Sequence, residues 1–188
     1  MVDGTGPATD AIPRPALSDG VVVLRAWQPA DAPSVLQAFV DPVFERFSDW
    51  APRSEAGVMA RIDQQERRRL RGELIDLAIV EAGQPEVAMG GISLNDIDRH
   101  LHQRASIGYW LGPRGRGRGL VTRSVKLLSG WAFAELGLKR IELTCGPDNT
   151  ASQRVAQRCG FHREGLLRSH LAFKNGRRDT VVFSLLAD

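Results

Sequence analysis

The stretch from Gly108 to Leu128, GYWLGPRGRGRGLVTRSVKLL, joins three patterns end to end. It opens on aromatic residues suited to a strand, alternates arginine with glycine in its middle, and closes on apolar residues at helical spacing. Upstream, ELIDLAIVEA, EVAMGGISLNDID and ASIGYWL read as three consecutive strands of a meander. Downstream, Val125, Leu128, Ala132 and Leu136 form the apolar stripe of a helix over 122–136, which Gly137 ends, and KRIELTCG reads as a short buried strand. A strand, a helix and a neighbouring parallel strand in that order put the glycine-arginine hinge at a strand's C-terminal end, against the first turn of a helix.

That position has a chemical meaning. The first helical amides lack partners and the helix dipole adds partial positive charge there, so the end attracts anions. Gly115, Gly117 and Gly119 carry no Cβ and let a bulky anion approach those amides, while Arg116, Arg118 and Arg123 can add charge-assisted bonds. The hinge is built like a phosphate cradle. A Walker loop would end in Gly-Lys-Ser/Thr, whereas this one ends in Gly-Leu-Val. A dinucleotide fold would carry its glycines early in the domain, with an acidic residue about 20 positions on. An RGRG run in a free tail could bind nucleic acid, but this one is clamped between a strand and a helix.

Working outward, VVVLRAW (Val21 to Trp27) reads as a strand, and Asp31 as the N-cap of a helix over 32–40. Residues 41–52 read as turn, and Ser54 opens a helix that runs through an arginine-rich solvated face to Gly72. Asp148 and Asn149 cap a second short helix closed by Cys159-Gly160, and LLRSHLAF and DTVVFSLL flank a KNGRR turn. The fold class is α/β (α+β), with a mixed sheet of about seven strands and about four helices. At 188 residues, 43% hydrophobic and 25% charged, the chain fits one compact domain over 20–188 behind a flexible tail over 1–19. It has no apolar run of membrane length, and its N-terminus is neither basic nor apolar. Cys145 and Cys159 show no metal spacing and are expected reduced, in the cytoplasm. The 22 arginines against 3 lysines leave a net charge of only +3, with acidic residues throughout. That balance suits a small phosphorylated ligand better than nucleic acid.

IGYWLGP, RGRGLVTRSV, LKRIEL, DNTAS, GFHREG and NGRRDTVVFSLL, in this order and spacing, resemble the GNAT superfamily of acyl-CoA-dependent N-acyltransferases. More narrowly they resemble its Rim-type branch, which includes ribosomal-protein N-terminal acetyltransferases. The similarity covers about Val21 to Leu186. It implies that the sheet splays between its fourth and fifth strands and that the cosubstrate is acetyl-CoA, with coenzyme A pyrophosphate as the anion and no metal. The family's Arg/Gln-x-x-Gly-x-Gly/Ala signature falls on Arg116, Gly119 and Val121, so the amides of Arg116, Gly117, Arg118, Gly119, Leu120 and Val121 are expected to wrap the phosphates. Val121 departs from the pattern, and its side chain must turn to the core. Amides near Trp110 and Leu111 are expected to polarise the thioester carbonyl in the splay.

The expected reaction is direct attack of a primary amine on acyl-CoA in a ternary complex. An α-amine with a pKa near 8 is roughly a tenth neutral at pH 7, and a lysine near 10.4 far less so, which makes a general base optional for the first. The tyrosine that many GNAT members use as the acid is Ala156 here. In the Rim-type branch the serine of Asn-x-x-Ser resembles the donor, which points to Asn149 and Ser152; both also fit ordinary capping. Glu164 and His170 are the candidate bases, since the strand position where relatives place a glutamate is Ser106. The acceptor stays open among a protein N-terminus, a lysine, a polyamine and an aminated antibiotic, and the acyl group among acetyl, succinyl and others. A homodimer fits the reading. The competing class is a non-catalytic CoA-binding or nucleic-acid-binding module on the same fold.

Overall fold

A computed structural model describes residues 11–48, 50–174 and 176–188. Its one mixed sheet runs β1-β2-β3-β4-β5-β6-β8-β7. The strands are β1 (Leu17–Ser18), β2 (Val22–Arg25), β3 (Ile75–Glu81), β4 (Gly90–Asp98), β5 (Arg104–Leu111), β6 (Arg140–Cys145), β7 (His162–Phe173) and β8 (Gly176–Leu186). The helices are α1 (Ala32–Phe39), α2 (Pro42–Phe47), α3 (Glu55–Leu70), α4 (Leu120–Leu136) and α5 (Thr150–Arg158). Only β5 and β6 pair in parallel; α4 makes the crossover between them.

Eight strands and five α-helices replace the seven and four expected. The extra strand is β1, and it shortens the expected tail. Residues 1–10 lie outside the described residues, but the rest is docked: Ile12 is fully buried and donates its N–H to Arg69 O at 3.1 Å. Asp19 accepts from Arg123 at 2.7 Å. Too few apolar residues precede Val21 to show a strand pattern, so this docking is tertiary rather than local. The extra helix is α2, in the stretch read as turn. Asp41 caps it by accepting from Val43 N–H at 2.7 Å, with Pro42 at the first helical position. Asp31 does not cap α1 as expected. Its buried carboxylate takes both terminal nitrogens of Arg25, at 2.7 and 2.8 Å, and the Gln28 N–H. Ser54 does cap α3, through Gly57 N–H.

Strand alternation divides the buried residues between the two faces. Ile75, Leu77, Ile79, Ile107 and Leu143 pack with Leu120, Val125, Leu128 and Ala132 of α4, and Ala156 of α5 joins them with Cys159 and Phe161 just after it. On the opposite face Val35 of α1 and Val58 of α3 are buried with Trp27 and Trp110. Among the described residues no helix is long and apolar enough to cross a membrane.

One carboxylate faces the α3 side at a cost. Burial lifts Asp76 on β3 to about 6, while the Arg61 guanidinium pulls the other way. Below the unfolded carboxylate range both states are protonated. As pH rises from about 4 to 6 the unfolded chain ionises first, so Asp76 subtracts stability across that window and the loss is constant above it. Asp76→Asn should therefore match the parent near pH 3 and exceed it by roughly 3 kcal/mol at pH 7, as read by chemical denaturation at each pH.

Candidate functional site

The site begins where β5 and β6 separate. They pair from Arg104↔Arg140 only to Ile107↔Leu143, although β5 continues to Leu111 and β6 to Cys145. Each is held on its other side, β5 by β4 as far as Gly90↔Leu111 and β6 by β8 as far as Cys145↔Val181. The strands therefore diverge without fraying. Gly112 N–H bonds Met89 O across β4, so two-residue alternation sends the backbone groups of Trp110 to β4 and those of Tyr109 and Leu111 into the gap. Of the two amides expected to polarise a carbonyl, the one at Leu111 has the right direction, and the one at Trp110 belongs to the sheet.

A cleft of about 680 Å³ passes through this gap and joins the two faces of the sheet. At one mouth lies the glycine-arginine loop. After a 3-10 turn at Pro113–Gly115, Gly117 and Gly119 both adopt φ of +73°, and a Cβ on either would meet nothing within 4 Å. Gly119 is the N-cap of α4, and its carbonyl accepts from Arg123 N–H at 3.2 Å. Gly117, Gly119, Leu120, Val121 and Thr122 line the cleft with the unpaired amides of a helix start. This glycine-lined cradle of N–H groups fits the pyrophosphate of a coenzyme A. Val121 does turn to the core, where it is 8% exposed.

The arginine side chains behave otherwise than expected. Arg116 donates to Asp41 at 2.9 Å and to Leu111 O at 3.3 Å, Arg118 to Glu81 at 2.5 Å, and Arg123 to Asp19 at 2.7 Å. These carboxylates hold the loop's cations in place, and the loop's open donors are its amides. Among the described residues Arg154 and Arg158 of α5, which also line the cleft, form no ion pair.

In the middle of the cleft Asn149 and Ser152 both line the wall, and Asn149 caps α5 by accepting from Ser152 N–H at 3.1 Å. The capping reading thus holds together with the site position. Ser152 Oγ lies 2.8 Å from the hydroxyl of Tyr109, the chain's single tyrosine. Burial pushes the Tyr109 phenol above its ordinary value, so it stays protonated. Cys145, at the end of β6, is also raised by burial. In the sequence Tyr109 reads only as one of the aromatic residues suited to a strand. Its hydroxyl would have been found by asking what satisfies a phenol two residues before the chain leaves the sheet.

The other mouth is aromatic. Phe39, Phe44, Phe47, Trp50 and Trp110 line it, from α1, α2, the 41–52 stretch and β5. Trp110 stands edge-on to Phe39 at 5.2 Å and stacks on Trp27 at 5.8 Å. Two expected site residues are elsewhere. Glu164 accepts both terminal nitrogens of Arg140, at 2.8 and 2.6 Å, and the Ser184 hydroxyl. That guanidinium holds its carboxyl down at about 2, opposite to what a base at neutral pH needs, and Arg140 begins β6 at the end away from the gap. His170 lies in the β7 irregularity between Leu167 and Leu171 and does not line the cleft. Among the described residues no group of three His, Cys, Asp or Glu could hold a metal.

A splayed sheet with a glycine cradle at one mouth and an organic-lined pocket at the other defines a class: transferases that bring an acyl-CoA and an acceptor together through the sheet. The family model for the GNAT acetyltransferase domain matches residues 22–162, and the chain belongs to that family. It is an N-acetyltransferase that draws its acyl group from acyl-CoA. It is 35% identical over 130 residues to Probable N-acetyltransferase YjcK of Bacillus subtilis, covering 69% of this chain and 71% of that one. It is 33% identical over 101 residues to the ribosomal-protein-serine acetyltransferase of Escherichia coli, covering 53% and 55%. The solved Microcin C7 self immunity acetyltransferase MccE, in complex with acetyl-CoA and AMP, superposes with a TM-score of 0.80 at 25% identity over 90% of this chain and 94% of that one.

Replacing Gly119 by Glu puts volume and negative charge into the cradle. Gly119→Glu should weaken CoA binding by about 100-fold or more, while Gly119→Ala, which meets only the left-handed backbone penalty of about 1–2 kcal/mol, should lose stability but retain binding. Isothermal titration with CoA on both folded variants reads the difference.

Proposed function

We propose that the protein acetylates an α-amine in the cytoplasm, with the amine entering through the aromatic mouth and acetyl-CoA through the glycine mouth. The observation that carries this reading is the lining of the cleft: among the described residues it contains no carboxylate and no histidine. With no base at hand, the acceptor must supply its own neutral fraction, which favours an α-amine near pKa 8 over a lysine near 10.4. Nothing in the lining favours the ammonium over the free amine. The likeness to a ribosomal-protein-serine acetyltransferase supports a peptide N-terminus as the carrier of that amine.

Acetyl-CoA supplies the activated acyl group. The amides of Gly117 to Val121 and the side chains of Arg154 and Arg158 bind its anionic end, and Leu111 N–H polarises the carbonyl in the gap. Ser152 Oγ–H gives its proton to the departing thiolate sulfur, and the proton that the amine nitrogen sheds as the amide forms replaces it, so no net proton is consumed; the Tyr109 hydroxyl, 2.8 Å from Ser152 Oγ, orients the serine and keeps its own proton. The pair takes the place of the tyrosine missing at Ala156.

Ser152→Ala should lower kcat by about 100-fold or more with CoA affinity nearly unchanged, because the lost interaction belongs to the transition state. Tyr109→Phe should cost less, about tenfold, since Ser152 keeps its own proton. Both defects should shrink as pH rises toward the thiol range near 8.5, when the leaving group departs as thiolate unaided. Thiol release is followed against an amine whose ionisation is titrated separately. Full activity of Ser152→Ala across the neutral range would make solvent the proton source.

A further inference from the structure

We infer that the aromatic mouth selects an acceptor whose amine sits on an aromatic body that also carries a carboxylate, as in a peptide-like molecule with an N-terminal aromatic residue followed by an acidic one. The inference rests on the α-amine reading above and adds the substrate class.

Two features of the mouth carry it. The first is apolar area: the rings of Phe39 and Phe44 lie 4.0 Å apart and Phe39 meets Trp50 edge-on at 4.5 Å, a wall suited to a ring and poorly suited to an extended flexible cation. The second is charge. Arg61 and Arg178 both line the cleft on this side, and among the described residues neither has a carboxylate within ion-pair distance. Arg61 lies with its guanidinium over the Trp50 ring at 4.3 Å, and its charge reaches Asp76 without an ion pair. Arg178 lies over Phe173 at 4.2 Å, and one terminal nitrogen donates to Phe47 O at 3.4 Å. Its Nε is buried with no partner.

Each guanidinium is therefore fixed by a ring against its flat face. The terminal N–H donors at its edge that are not given to the protein, all of those of Arg61 and those of Arg178 beyond the one on Phe47 O, stay free for a carboxylate. The contrast with the loop arginines is informative: Arg116, Arg118 and Arg123 are each neutralised by a neighbouring carboxylate, whereas the two arginines of the acceptor mouth are not. A buried, unpartnered donor is a standing cost that a ligand anion removes. A polyamine would place further positive charge between these two cations with no acidic wall to hold it.

The test uses the full chain with acetyl-CoA and a peptide series that keeps the ring and changes the charge: Phe-Glu, Phe-Gln-amide and Phe-Lys-amide, with Ala-Glu and spermidine as controls. The expected order of kcat/KM is Phe-Glu first and Phe-Lys-amide last, separated by roughly tenfold or more, the scale of one charge-assisted hydrogen bond. Ala-Glu should fall below Phe-Glu. In Arg178→Met and Arg61→Met, which keep most of the stem volume, the charge preference should fall toward unity while CoA still raises the melting temperature. Equal rates across the charge series, or preference for Phe-Lys-amide or spermidine, would overturn the inference. An amine-free pair, 3-phenylpropionyl-Glu against 3-phenylpropionyl-Gln-amide, separates the two levels of the argument by quenching of tryptophan fluorescence. Tighter binding of the acidic member without turnover of any peptide would keep the charge inference and refute the α-amine reading. Turnover with no discrimination in either assay would do the reverse.

Discussion

The parting of β5 from β6 is the constraint on which the site depends. A sheet interior ordinarily pairs every backbone group, and an unpaired one buried without water costs free energy. Here two strands run parallel for four residue pairs, then separate while remaining bonded to β4 and β8 on their outer sides. The gap exposes strand-edge donors and acceptors in the centre of the molecule, where a ligand of strand-like chemistry can replace the missing neighbour. The same divergence opens the way from the α4 and α5 face to the α1, α2 and α3 face. Two substrates can then meet at one point without sharing an entrance.

Around that gap the charges are sorted. Arginine is abundant in this chain, and that of the loop is structural: Arg116 ties the loop to Asp41 before α2, Arg118 to β3, and Arg123 to Asp19 beside β2. The pairs are partly exposed, so each contributes little to stability, and their use is to orient the loop so that its amides face the cleft. Glu164 and Arg140 do the same for the far end of β6. The groups left unpaired are those at the two mouths, and this makes them the informative ones. Asp76, half-buried and raised, shows the cost of a carboxylate kept on the acceptor side of the sheet.

The hinge, the crossover and the order of strands were legible in the sequence because they rest on local signals: two-residue and helical periodicities, glycines at 117 and 119, and Gly137 as a stop. The Asn149-x-x-Ser152 placement was legible for the same reason, since a cap is a contact between near neighbours. What escaped depends on contacts distant in sequence. Tyr109 and Ser152 are separated by 43 positions, and nothing in either segment announces the pairing. The loop arginines find their carboxylates 37 to 104 positions away. The assignment of Glu164 failed because a residue type compatible with a base was weighed without its partner. The aromatic mouth was missed for a different reason. Asp41-Pro42 is a sound helix-start signal, but reading the stretch as turn hid the fact that Phe39, Phe44, Phe47 and Trp50 converge.

The central claim is that the gap between β5 and β6, with the loop that follows β5, is where acetyl-CoA lies. Amide hydrogen exchange of the full chain, with and without a non-hydrolysable acetyl-CoA thioether, tests it at the level of individual amides. The account predicts slowed exchange at Tyr109 and Leu111 and from Gly117 to Thr122, with the amide of Trp110, already committed to β4, unchanged. Protection confined to other segments, with these amides exchanging as in the free protein, would contradict it.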